Sequence, residues 1–179
     1  IGNANAKFDR AKLLAFNTQT AETATPERLL AALRDYLSVN SESPLNQATD
    51  EQLRQLLQMK KGFRTLREVD ELCRFFFHDD NAIVFDAKAV EKVLKKDNNA
   101  GLSALKEVRD LLAAASVWQA DPLEAIVKQY IETRGLSLGN VAQPIRVAIS
   151  GTTVRPPTFQ SLEFLGQTRV LTRIDRCIA

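Results

Sequence analysis

The sequence predicts an all-α fold, and three observations carry that reading. Apolar residues recur at helical spacing along most of the 179 residues, as at Leu29, Leu30, Leu33 and Leu37. Helix-start and helix-stop chemistry brackets these stretches, with Thr25, Thr49, Thr65 and Ser137 placed as caps and Gly135, Gly151 and Gly166 as terminators. Strand-like runs are few: Ile83 to Phe85, and the RVAI and TRVL runs, which sit inside helical periodicity.

Taken in order, Phe8 to Phe16 reads as a short amphipathic helix with Phe8, Leu13, Leu14 and Phe16 apolar. Thr25-Pro26-Glu27 joins a cap, a proline in the first turn and an acid at the positive dipole end, and opens a helix to about Asn40. SVNSESPLNQ is a loop, and Thr49 caps a helix from Asp50 to Met59. Thr65 and Glu68 have capping-box spacing for a helix from Leu66 to about Phe77. His78-Asp79-Asp80-Asn81 then marks an exit from core to solvent. Asp86 opens a helix to about Lys96, Asn98-Asn99-Ala100-Gly101 is a turn, and Leu102 to Val117 is a leucine- and alanine-rich helix. Asp121-Pro122 opens another, ending at Gly135. Ser137 starts a helix to about Ile149, which Gln143-Pro144 distorts. Thr158 starts one that Gly166 ends, and a last helix carries Arg169, Arg173 and Arg176 at about one-turn spacing.

A soft boundary near Trp118 to Asp121 divides the chain into bundles at 21–118 and 119–179, with residues 1–20 belonging to whatever precedes them. The absence of an initiator Met suggests a fragment. Hydrophobic content of 45% with 26% charge is that of a soluble globular protein, no apolar run is long enough to span a membrane, and the N-terminus has no signal-peptide core. Cys73 and Cys177 fit a reducing cytoplasm better than a disulfide framework. A net charge of +2 excludes a generic polyanion binder, so local clustering matters more.

Two clusters stand out. Arg54, Lys60, Lys61, Arg64 and Arg67 fall in a stretch with no acid, where Lys61, Gly62 and Arg64 lie between two helices. From Gly135 onward every basic residue is arginine: Arg146, Arg155, Arg169, Arg173 and Arg176, against Glu163 and Asp175. Arg155-Pro156-Pro157 fixes an extended bend, because each proline locks its own φ and restricts its predecessor. A stiff corner offering Arg146, Arg155, Pro156 and Thr158 suits unstacked nucleotides, since guanidinium groups fork onto phosphates or base edges and stack on base faces. The last-helix arginines read as a solvated face, or else as a face that tracks phosphates. Trp118 and Tyr130 read as core packing rather than stacking platforms.

Catalytic chemistry is hard to assemble from these residues. His78 is the single histidine and sits in an acidic turn, and no zinc-ligand spacing, calcium loop, Gly-rich phosphate loop or activated nucleophile is apparent.

The run GNVAQPIRVAISGTTVRPPTFQSLEFLGQTRVLTRI resembles the C-terminal segment of bacterial glutamyl-tRNA synthetases, with its AQPxRxAxxG pattern, proline-containing turn and xFxxLxxLG helix. FDRAKLLAFN is similar to that family's FDxxKLLWLN segment, and LLQMKKGFRTLREVDELCRFFF resembles the middle of its anticodon-binding region. The resemblance implies two consecutive helical bundles forming an α-helix cage that grips the anticodon loop. It implies a parent enzyme that attaches glutamate to tRNA with ATP and magnesium, through a catalytic part whose HIGH-like and KMSKS-like motifs are absent here. For this chain it implies no cofactor, no metal and no catalytic residue of its own, a cytoplasmic monomer, and tRNA as partner. By the same resemblance Arg146 reaches an anticodon base and the turn at Arg155, Pro156 and Thr158 reads exposed base edges. Arg155 replaces a residue that is often small and polar, which favours a phosphate contact there. Gly62 stands where many members specific for the glutamate tRNA carry an arginine that reads the last anticodon base. Its absence implies relaxed reading of that base and acceptance of the glutamine tRNA, unless Lys61 or Arg64 compensates. Two rival readings use the same residues: a helical protein–protein adaptor, and a stand-alone synthetase paralogue acting as a regulator.

Overall fold

The structure, a computed structural model, describes residues 9–153 and 156–179, and the chain forms two compact units, Ile1–Glu71 and Leu72–Ala179. Among the described residues there is no strand, as the helical periodicity predicts. The boundary expected near Trp118 falls inside the second unit.

The first unit contains α1 (Arg10–Thr23), α2 (Pro26–Ser38), a 3-10 turn at Pro44–Gln47, α3 (Asp50–Met59) and most of α4 (Leu66–Cys73). α1 is longer than its apolar pattern predicts and buries none of its residues. α2 and α3 begin where the sequence places them. Thr25 accepts from the Arg28 amide, and Thr49 exchanges hydrogen bonds with Gln52 in a full capping box. Leu30, Leu33, Leu37, Leu45, Leu53, Leu56 and Phe63 form the core. Arg34 forks onto Asp50 at 2.9 and 2.7 Å and onto the Ala48 carbonyl at 2.8 Å, tying α2 to the start of α3. At α4 the expected box is displaced by one residue. Thr65 Oγ1 accepts from the Glu68 amide at 3.2 Å, but the Glu68 carboxylate accepts from the Arg64 amide at 2.9 Å rather than from Thr65.

The second unit continues through a 3-10 turn at Arg74–Phe77, a short α5 (Ala87–Ala89) that runs into a π-turn at Val90–Lys95, and α6 (Lys96–Ala113). It closes with α7 (Ala120–Arg134), α8 (Leu138–Ser150), α9 (Thr158–Leu165) and α10 (Gln167–Ile178). The first turn of α6 contains three left-handed residues, Asp97, Asn98 and Asn99, at φ 52°, 59° and 63°. This is the turn the Asn98-Asn99 pair predicts, made by the residue types that tolerate that region best. α8 is the centre of the unit, burying Val141, Ile145, Val147, Ala148 and Ile149, and packs on the π-turn, α6, α7, α9 and α10. It ends at Gly151, φ 80°, where a Cβ would lie 2.1 Å from the Val84 carbonyl oxygen. The Gly151 carbonyl in turn accepts from the Asp86 amide at 2.8 Å, and the Ile83–Phe85 segment is irregular rather than a strand.

The α10 arginines are neither a solvated face nor a phosphate-tracking one. Arg173 is 1% exposed and donates to Asp80 at 2.6 Å, to the Ile149 carbonyl at 2.6 Å and to the His78 carbonyl at 3.1 Å. Arg169 also grips Asp80, at 2.8 to 3.1 Å, and the Phe76 and His78 carbonyls. Arg176 donates to the Ile83 carbonyl at 2.6 Å and lies over the Phe85 ring. One helix face thus clamps the segment 76–85. Asp80 is the anchor of that clamp and not a solvent-bound turn residue. Burial pushes its carboxyl up, but hydrogen bonds from Arg169 and Arg173 prevail and hold it below the usual carboxylate range.

Candidate nucleic-acid interface

Each unit carries one of the two predicted groups of site residues. In the first, Lys61 and Arg64 are exposed and Gly62 takes φ 71°, with nothing within 4 Å of where a Cβ would stand. Arg64 is committed in part to its own helix. Its amide donates to Glu68, which holds the Glu68 carboxyl below its usual range, and its guanidinium lies 3.6 Å from the same carboxylate. A groove of about 320 Å³ runs beside this turn, lined by Pro26, Leu29, Leu57 and Phe63 and by Arg54 and Lys61. Glu22 lines it too and Arg54 lies 3.7 Å from Glu51, so Lys61 is the cation left beside this apolar wall.

In the second unit the structure brings Arg146 and Thr158 together. Arg146 projects from α8 one turn before its end, and its guanidinium bridges the corner that follows. Nη1 donates to the Thr153 carbonyl at 3.4 Å and Nη2 to the Thr158 hydroxyl at 3.0 Å. Thr158 is buried at the start of α9, and Pro156 is buried beside it. Val154 and Arg155 lie outside the described residues, and so does the expectation placed on Arg155. α8 runs through Pro144 as a continuous helix. The proline has no N–H to give, so the Asn140 carbonyl loses its usual helical partner.

The electrostatics of Arg146 set it apart from Arg169 and Arg173 of α10. It is half-buried, its Nε is buried without a hydrogen-bond partner, and no carboxylate pairs with it among the described residues. Burial alone lowers its pKa. A guanidinium that is desolvated, bonded only to neutral oxygens and short of a partner at Nε retains capacity for an anion or a base edge. Arg169 and Arg173, by contrast, are consumed by Asp80 and main-chain carbonyls.

Sequence reasoning missed Thr153 as a partner of Arg146. It also missed Gln143, whose Oε1 is buried with no partner among the described residues. The one available signal was position: Gln143 precedes Arg146 by three residues, so both lie on one face of α8. Among the described residues no group of three or more His, Cys, Asp or Glu side chains is placed to hold a metal ion, and no helix is long and apolar enough to cross a membrane.

Comparison with known proteins places this geometry in a family. The pattern of the family described as "Anticodon binding domain" matches residues 28–178. The glutamate–tRNA ligase of Thermodesulfovibrio yellowstonii is 30% identical over 180 residues, covering 99% of this chain and 38% of that protein. Glutamate–tRNA ligase 2 of Rhodospirillum rubrum is 35% identical over 175 residues, covering 97% of this chain and 36% of its own length. The chain therefore spans a little over a third of the curated relatives it matches. The crystal structure of a glutamate tRNA ligase from Elizabethkingia meningosepticum shares the fold, with a TM-score of 0.80 at 22% identity over 99% of this chain and 34% of that one. Nearly the whole helical core and both groups of site residues fall within the matched span, and the chain belongs to the anticodon-binding domain family.

Proposed function

We propose that the chain reads the anticodon loop of the glutamate tRNA as the C-terminal part of a glutamate–tRNA ligase. The observation that carries the proposal is the Arg146 guanidinium, half-buried at the double-proline corner with a vacant Nε and no counter-ion among the described residues. Burying a charge without a partner opposes folding, so it is best explained by a ligand that supplies the partner. Splayed anticodon bases and their phosphates offer acceptors of the right kind. Arg155, Pro156 and Thr158 complete that corner, while Lys61, Gly62 and Arg64 read from the first unit. Affinity comes mainly from phosphates and falls with salt, and discrimination from a few base contacts.

The chemistry of aminoacylation belongs to the preceding part of the parent protein, together with its ATP and magnesium. The parent acts as a monomer in the cytoplasm. With glycine at position 62 it reads the last anticodon base loosely and charges the glutamine tRNA as well as the glutamate one. A gel shift of this chain with glutamate tRNA and with an anticodon-scrambled transcript, across a salt series, tests the main claim. Equal binding of both transcripts at every salt concentration refutes it. Charging of both purified tRNAs by the full-length ligase tests the finer claim, and a rate near zero with the glutamine tRNA refutes that alone.

A further inference from the structure

The second unit contains a cleft of about 660 Å³ bordered by the π-turn and α6 on one side and by α7 and α8 on the other. We infer that this cleft takes the ribose–phosphate of a nucleotide next to those read at the Arg146 corner, with Gln143 addressing the sugar 2′-hydroxyl and Lys92 and Lys96 the phosphate. The inference rests on the proposed function and extends it to residues that nothing above assigns.

Four observations point the same way. Gln143 is a half-buried residue lining the cleft, and its Oε1 is buried with no partner among the described residues, so turning the side chain into the cleft breaks no hydrogen bond at that atom. Such an atom awaits a donor, and the 2′-hydroxyl is the donor that distinguishes RNA from DNA. Lys92 and Lys96 line the cleft and are both exposed. Carboxylates line it too. Arg134 is paired with Glu107, and Lys96 lies 3.8 Å from Asp97, but Lys92 has no carboxylate partner among the described residues. One positive charge is thus left over, as an incoming phosphate requires.

The wall itself is built under strain. The π-turn at Val90–Lys95 is followed, after Lys96, by three left-handed residues, and Gly101 has to be glycine because a Cβ there would lie 2.1 Å from the Val93 carbonyl oxygen. Strained backbone of this kind persists where the surroundings impose it, and it concentrates at ligand sites. Last, the cleft starts where the corner ends. Gln143 lies one helical turn before Arg146, and Thr153, another lining residue, gives its carbonyl to Arg146 Nη1. A strand held at the corner enters this cleft with its next sugar and phosphate.

The test uses the 179-residue chain and the anticodon hairpin of the glutamate tRNA, with affinity read by fluorescence anisotropy across salt. Lys92→Gln with Lys96→Gln, at exposed positions that leave the core untouched, should flatten the plot of log affinity against log salt by about 1 to 2. A hairpin with 2′-deoxyribose in the loop should bind the natural sequence about three- to tenfold more weakly than the all-RNA hairpin. Gln143→Leu should bind the two hairpins equally. The inference is overturned if the salt slope and the deoxyribose penalty are unchanged in these variants while Arg146→Met still loses binding; the proposed function then stands without this subsite. If the natural sequence itself fails to bind the hairpin, both fall.

Discussion

Replacing Asp80 removes the anchor of the α10 clamp, and the structure fixes what that should cost. Arg173 is 1% exposed and Arg169 partly so, and both converge on Asp80, a side chain 20% exposed. Asp80→Ala leaves the Arg173 charge buried with only the Ile149 and His78 carbonyls as partners. Breaking a buried pair from one side costs about 3 to 5 kcal/mol. Asp80→Asn keeps an acceptor of the same shape and should lose less, about 1.5 to 3 kcal/mol, the worth of hydrogen bonds to a charged group. Urea titrations followed by circular dichroism measure both. The pH dependence gives a second reading. Since the folded-state pKa of Asp80 is depressed, its contribution is present in full above the unfolded carboxylate pKa of about 3.9. It is lost as pH falls through the folded value. The gap between the natural sequence and Asp80→Asn should therefore be constant near neutrality and shrink below about pH 4. A loss under 0.5 kcal/mol for Asp80→Ala, or a gap that widens in acid, would refute the clamp.

Further outcomes follow from single positions. Gly151→Ala meets the Val84 carbonyl at 2.1 Å and a φ of 80°, so it should cost about 2 to 5 kcal/mol, as left-handed strain plus overpacking, in the same urea titrations. Gly62→Ala, with φ 71° but open space around it, should cost only about 1 to 2 kcal/mol. In the full-length ligase, Gly62→Arg should raise the preference for glutamate over glutamine tRNA by about five- to 150-fold, the range for one bidentate base contact, read as the ratio of kcat/KM values. Burial pushes the Cys177 thiol up to about 11, and Cys73 is fully buried, so in native protein at pH 8 Cys177 should react more slowly with a thiol reagent than a free thiol, and Cys73 only on unfolding.

Helix starts and stops were legible in the sequence because their chemistry is local. Thr25, Thr49, Gly135 and Gly151 act on residues within one turn, and each does so here. The Asn98-Asn99 turn was legible for the same reason. The fate of the α10 arginines was not, since their partners lie some 90 residues away in the chain and helical spacing alone cannot tell a solvated cation from a clamped one. At the corner, the proline pair and Arg146 were visible as an arrangement, but the Thr153 carbonyl depends on how the chain turns after Gly151, and the partnerless Gln143 oxygen on how α8 is buried. Composition pointed to local rather than global positive charge. It could not show that Asp80 takes up Arg169 and Arg173 while Arg146 has no anion among the described residues.

The most direct measurement pairs stability with RNA affinity in Arg146→Met. Met keeps the apolar stem and removes the desolvated charge, at the expense of hydrogen bonds to Thr153 and Thr158 worth about 1 kcal/mol each. If Arg146 is held for RNA, unfolding free energy should stay within about 1 kcal/mol of the natural sequence while affinity for the anticodon hairpin falls at least about tenfold. A destabilised protein whose hairpin affinity is unchanged would show that Arg146 serves the fold and not the nucleic acid.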